Sequence, residues 1–207
     1  AAATGRPAEG AAGRELRLVA LGASTGGPNA IQAILTGLGS GFPVPIVVAQ
    51  HMPPGFTRTF AERLDRVSGL SVREAVDGDR LAGGRVLIAP GGLNLRVVRD
   101  GGGLAVRTEP RAPGQSYVPS VDALFESAAA AVGPALVAVL LTGMGNDGRR
   151  GMLAVKAAGG QTLAESEETA IVFGMPGEAI AAGAVDEILP LPALAPELLR
   201  RAGAKIA

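Results

Sequence analysis

From Glu15 onward, short runs of almost pure Val, Leu, Ile and Ala alternate with longer stretches of helical periodicity, and that rhythm constrains the fold more than any other feature. Runs without polar alternation are what strands covered on both faces require, and such strands are parallel and joined by crossover helices. The strands expected are Arg17 to Leu21, Pro45 to Ala49, Arg85 to Ala89, Ala135 to Leu141, Gly160 to Ala164 and Val185 to Leu189. Helices fit between them at Asn29 to Leu38, Phe56 to Val67, Val121 to Val132, Gly151 to Ala158 and Glu178 to Ala182. Asn94 to Thr108 breaks the rhythm, because Leu95, Val97, Leu104 and Val106 alternate with polar residues around Asp100-Gly101-Gly102-Gly103, a signal for an antiparallel edge hairpin. The fold class expected is therefore α/β, doubly wound, with a mostly parallel sheet, helices on both faces and that hairpin. Ala1 to Arg14 shows no apolar periodicity and reads as a linker, leaving 15–207 as one domain.

Composition removes whole classes of function. Lys+Arg and Asp+Glu are both 19, there is no Trp and a single Tyr, so neither a nucleic-acid or anionic-membrane partner nor a base-stacking platform is indicated. The chain has no Cys, which excludes thiolate chemistry and disulfides, and one histidine, His51, which excludes multi-histidine metal sites. No metal or cofactor is implied. With no apolar run long enough to span a bilayer and no signal-peptide layout, the expectation is a cytoplasmic protein without membrane insertion.

In open α/β sheets, ligands sit outside the carboxyl ends of the strands, so the strand exits are where chemistry belongs. The first exits into Gly22-Ala23-Ser24-Thr25-Gly26-Gly27-Pro28, which fits the Gly-x-Ser-x-Gly nucleophile elbow in its strand, turn and helix setting. A bland alternative makes Ser24 a helix cap, although Pro28 favours Gly27 for that post. The second strand exits into Gln50-His51-Met52-Pro53, and a lone histidine is more often structural than catalytic. Here it follows the strand after the serine's, which places the two around one crevice. The strand ending at Leu141 exits into Thr142 to Gly148, where Asp147 is the only carboxylate. Asp147 competes with a cap of the helix that follows it, and with Asp77, Asp79 and Asp122 for the third place in a triad.

Taken together, Leu21 to Pro28, Gln50 to Pro53 with Phe56-Thr57, Ile88 to Gly91, Pro119 to Phe125, Leu141 to Gly148 and Val172 to Pro176 resemble the catalytic domain of the chemotaxis protein-glutamate methylesterases, CheB. The resemblance covers nearly everything from Leu16 to Leu191. It implies Ser24 as nucleophile, His51 as base, Asp147 as orienter and the Met144 amide as an oxyanion donor; general elbow logic adds the Thr25 amide. It further implies a substrate on the helical cytoplasmic region of methyl-accepting receptors, removal of γ-glutamyl methyl esters there, deamidation of receptor glutamines by the same groups, and a phosphorylatable receiver domain as a partner. Relatives commonly carry a basic residue just before the Pro-Ser-Val-Asp motif, where this chain has Tyr117-Val118. Two rival readings stay open on the residues alone: a serine esterase or amidase of a small metabolite, and a non-catalytic regulatory domain of the same fold.

Overall fold

The computed structural model describes residues 15–204. The linker expected at Ala1 to Arg14 lies outside the described residues. The chain runs β1 (Leu18–Ala23), α1 (Gly27–Leu38), β2 (Ile46–Gln50), α2 (Phe56–Ser68), β3 (Ser71–Glu74), β4 (Arg85–Ile88), β5 (Asn94–Asp100), β6 (Gly103–Glu109), α3 (Val121–Val132), β7 (Leu136–Leu140), α4 (Arg149–Ala157), β8 (Gln161–Glu165), α5 (Met175–Ala181), β9 (Glu187–Leu189) and α6 (Leu191–Arg201). Seven strands form one parallel sheet in the order β3-β4-β2-β1-β7-β8-β9.

The apolar runs earn their place by burying both faces. In β1, Val19, Leu21 and Ala23 join the core shared with α1, α2 and α6, while Leu18 and Ala20 join the core under α3, α4, α5 and the hairpin. β7 divides in the same way, with Val137 and Val139 on the first face and Leu136, Ala138 and Leu140 on the second. A residue slipped by one would trade one apolar face for the other, so helix docking rather than polarity sets the register here. β1 pairs with β2 on one side and β7 on the other, so the chain builds outward in both directions from this centre. The carboxyl end of the β1–β7 boundary is thus the switch point of the sheet, where a doubly wound fold opens a crevice.

The hairpin is antiparallel as expected and turns through Gly101 and Gly102, whose φ values of 54° and 84° suit a two-residue loop. It makes a two-stranded sheet of its own rather than extending an edge of the main sheet. Leu95, Val97, Leu104 and Val106 point into the second core, and the Val97 N–H donates to Ser127 Oγ of α3 at 3.0 Å. Having one apolar face, the hairpin packs on a helix, which satisfies that face without a place in the sheet. Two elements are absent from the sequence reading. β3 is a short polar edge strand with only Val72 buried, too brief to show alternation. α6 carries Pro192 in its first turn and Pro196 inside, residues that read as breakers. Its Leu194, Leu198 and Leu199 nevertheless pack into the core beside α1, and that burial outweighs the lost backbone bond.

Candidate functional site

Three loops meet at the carboxyl end of β1, β2 and β7. After β1 the chain turns through Ser24 into α1, whose N-cap is Gly26 at φ 84°, without any side-chain cap. Ser24 is therefore not spent on capping, and the cap is Gly26 rather than Gly27, with Pro28 in the first turn. The Ser24 N–H donates to the Thr142 carbonyl across the β1–β7 boundary at 3.0 Å, and the His51 N–H donates to the Ala23 carbonyl at 3.0 Å. Since Ala23 pairs in register with Gln50, Ser24 and His51 leave the sheet side by side.

Beneath them lies Gln50, only 2% exposed. Its Nε2 donates to the Ser24 carbonyl at 2.9 Å and to the His51 carbonyl at 3.2 Å, tying the two backbones together with one amide. Its Oε1 lies against Gly27 so closely that a Cβ there would fall 2.0 Å away, and this oxygen has no protein partner. An amide at the end of a strand that is otherwise Ile, Val, Val and Ala had to find partners on burial. That was the available signal for its role, which the sequence reading missed.

Asp147 reaches the site from the loop after β7 and is 4% exposed. Its carboxylate accepts four hydrogen bonds, two on each oxygen. Oδ2 receives His51 Nε2 at 2.8 Å and the Val121 N–H at 2.7 Å; Oδ1 receives Ser120 Oγ at 3.0 Å and the Asp122 N–H at 2.9 Å. Asp147 is thus a helix cap after all, but of α3, twenty-six residues upstream, instead of the α4 that follows it. α4 is capped in return by Asp122 of α3, whose Oδ1 accepts the N–H groups of Gly148 at 2.9 Å and Gly151 at 2.7 Å. The two helices exchange caps. Burial of the Asp147 carboxyl acts to raise its pKa, but the hydrogen bonds from His51, Asp122 and Val121 outweigh it, and the group titrates below the usual carboxylate range. Asp122 moves the other way, raised by burial and then by the neighbouring Asp147 charge against the pull of its backbone donors. Asp77 and Asp79 pair with Arg107 and Arg73 elsewhere, and take no part here.

An ionised carboxylate only accepts, so the imidazole nitrogen facing it must be the one that carries the proton. In the neutral ring this fixes the proton on Nε2 and leaves Nδ1 as the basic nitrogen. The other side of the serine is made by Thr142 to Gly145. Gly143 sits so near Ser24 that a Cβ on it would fall 2.7 Å from the Ser24 Cβ and 2.3 Å from Met175 Sδ, which is why this position has no side chain. The loop is pinned from behind, because Gly143 donates to the Val172 carbonyl at 2.9 Å and accepts from Gly174 and Met175 at 3.1 and 2.8 Å. Thr142 Oγ1 donates to the Thr25 carbonyl at 2.9 Å and accepts the Val172 N–H at 2.9 Å. Among the described residues, the N–H groups of Thr25 and Met144 donate to no protein acceptor. Tyr117, a further contact that sequence reasoning did not find, stacks on the His51 ring.

A family model described as CheB methylesterase matches residues 19–198. This chain belongs to the CheB methylesterase family. CheB relatives with curated names include protein-glutamate methylesterase/protein-glutamine glutaminase 3 of Geobacter sulfurreducens, 56% identical over 93% of this chain and 52% of the relative. The enzyme of the same name numbered 1 in Myxococcus xanthus is 52% identical over 95% of this chain and 57% of its own length. This chain therefore spans about half the length of the curated CheB relatives it matches. The crystal structure of the Thermotoga maritima CheB methylesterase catalytic domain superposes with a TM-score of 0.86 at 41% identity, covering 89% of this chain and 97% of that one. The fold is that of the CheB catalytic domain. Among the described residues no helix is long and apolar enough to cross a membrane.

Proposed function

We propose that this domain hydrolyses γ-glutamyl methyl esters on proteins by a Ser24–His51–Asp147 mechanism, and deamidates glutamine side chains with the same groups. The observation that carries the reading is the bond from His51 Nε2 to the buried, ionised Asp147 carboxylate at 2.8 Å, one strand exit away from a serine left free of capping.

In the first step the Ser24 hydroxyl oxygen attacks the ester carbonyl as its proton passes to His51 Nδ1, and the imidazolium so formed is stabilised by Asp147. Negative charge gathers on the carbonyl oxygen, for which the Met144 and Thr25 N–H groups are the uncommitted donors. Collapse of the tetrahedral species breaks the bond to the methoxy group, which leaves as methanol with the proton from His51. Water then repeats the cycle on the acyl-serine and releases the glutamate carboxylate. With a glutamine side chain the leaving group is ammonia instead. The ester comes, on this reading, from the helical cytoplasmic region of methyl-accepting receptors, which puts the domain in the cytoplasm with a phosphorylatable receiver domain as its regulatory partner.

The test is methanol release from methylated receptor membranes, set against turnover of small soluble esters. Ser24→Ala should stay folded, since the turn loses one hydroxyl and no core contact, while the rate drops by ~10⁴-fold or more. A small-metabolite esterase would turn over soluble esters far faster than receptor, a regulatory domain would release nothing, and an active, folded Ser24→Ala would end the triad reading.

A further inference from the structure

Tyr117 is the only tyrosine of the chain, and it lies in the segment between β6 and α3, outside the three loops that carry the catalytic groups. Its ring lies flat on His51, with centroids 4.8 Å apart and planes within 4° of each other. Its far end reaches the oxyanion loop: a Cβ on Gly145 would fall 2.4 Å from the Tyr117 hydroxyl oxygen and 3.2 Å from the ring carbon bearing it. Gly145, at φ 92°, directly follows Met144. One rigid side chain thus touches the face of the general base and the backbone next to the proposed oxyanion donor.

Each contact restrains something the chemistry needs. Asp147 holds the imidazole by a single hydrogen bond, which the ring breaks by rotating about its Cα–Cβ and Cβ–Cγ bonds unless a flat surface stops it. An aromatic ring in parallel contact supplies that surface, because offset stacking is favourable and loses contact on tilting. The loop beyond Gly143 is pinned through Gly143 itself, whereas Met144 is 67% exposed and its backbone has Tyr117 on the following residue. We propose that Tyr117 is a positioning residue that fixes the His51 imidazole for proton transfer and, through Gly145, sets the Met144 amide against Ser24. The inference rests on the Ser24–His51–Asp147 reading above.

Because His51 is the only histidine of the chain, histidine-selective ¹⁵N NMR reports on this ring alone and needs no substrate. The wild type should show one tautomer, protonated on Nε2. Tyr117→Ala, and Tyr117→Leu as a second variant that fills space without a flat face, should give averaged tautomer signals. In both variants kcat on a p-nitrophenyl ester should fall by ~10–100-fold with KM little changed, the cost expected of misplaced catalytic groups. Tyr117→Phe should restore the tautomer and most of kcat, since the ring face is kept. A purely structural role would lower the melting temperature of Ala and Leu variants while leaving the tautomer and kcat of the folded protein at wild-type values, and that result overturns the proposal. If the wild type releases no methanol from receptor while the NMR contrast and ester kinetics hold, the substrate assignment fails and the role of Tyr117 stands.

Discussion

The two halves of the site are held by different physics. Ser24 and His51 stand on the ends of neighbouring parallel strands, fixed by backbone bonds to Thr142 and Ala23 and by the amide of Gln50. Asp147 stands on no strand. It is held by the N-terminus of α3, with Val121, Asp122 and Ser120 donating to it, and its own loop is held by Asp122. The strand half owes its position to the same burial that makes the sheet, so it is as rigid as the core. The carboxylate half owes its position to charge, since an anion at a helix start is stabilised by unpaired N–H groups and the helix dipole. A change of charge should therefore injure the second half and spare the first.

The largest effect should come from Asp147→Asn. An amide cannot replace this carboxylate, because every one of its four partners donates, and the Asn Nδ2 would face two of them. Asn usually caps nearly as well as Asp, which from sequence alone promises a silent change in stability, and the paired donors on each oxygen remove that expectation. Stability should fall by about 1–3 kcal/mol, and the rate by up to ~10⁴-fold as the imidazole proton shifts to Nδ1. Thermal melts and methanol release check both. A folded variant at wild-type rate would break the contrast between the halves.

Gln50→Met comes next, as an unbranched side chain of similar size without donors. It should leave the sheet in place, cost about 1–3 kcal/mol for carbonyls losing a buried partner, and slow turnover by up to ~10²-fold. Equal rates would mean that strand pairing alone positions Ser24 and His51.

Acidification gives a third test. With its folded-state pKa lowered, Asp147 contributes stability that is fully present above the unfolded carboxylate value of about 3.9 and is lost as pH falls through the lowered folded value. Acid unfolding followed below about pH 4 should therefore be less steep in Asp147→Asn than in the wild type. The smallest effect should be Asp122→Asn. Both backbone bonds fall on one oxygen, which Asn keeps, and its raised pKa means that loss of the charge costs little. Its melting temperature should match or exceed the wild type's, with activity within a few-fold. A collapse of either would show that the Asp122 charge, rather than its geometry, holds the Asp147 loop.

Much of this was legible in the sequence, for reasons that sort along the same divide. Strands β1, β2 and β7 announce themselves because two-sided burial demands unbroken apolar runs, and Ser24, His51 and Asp147 stand out as polar residues at their exits. Which helix Asp147 caps was not legible. Its capping partner is twenty-six residues away, and only docking of α3 beside α4 reveals that the caps are exchanged. The sequence marks Tyr117 as a departure from its relatives but hides what it touches, since a stacking contact with His51 across sixty-six residues leaves no local pattern. β3 and α6 escaped because brevity hides alternation and proline imitates a stop.

On the mechanism proposed above, the exchanged caps bear on when a growing chain becomes competent. Nucleophile and base are both in hand by residue 51, and a collapsed fragment could bring them together. The imidazole gains its partner only after Asp147 has been made, and Asp147 is held only by a finished α3, which in turn caps α4. Hydrolytic competence is thereby tied to the mutual docking of two helices, so a nascent or partly unfolded chain has no oriented base to activate Ser24 against stray esters.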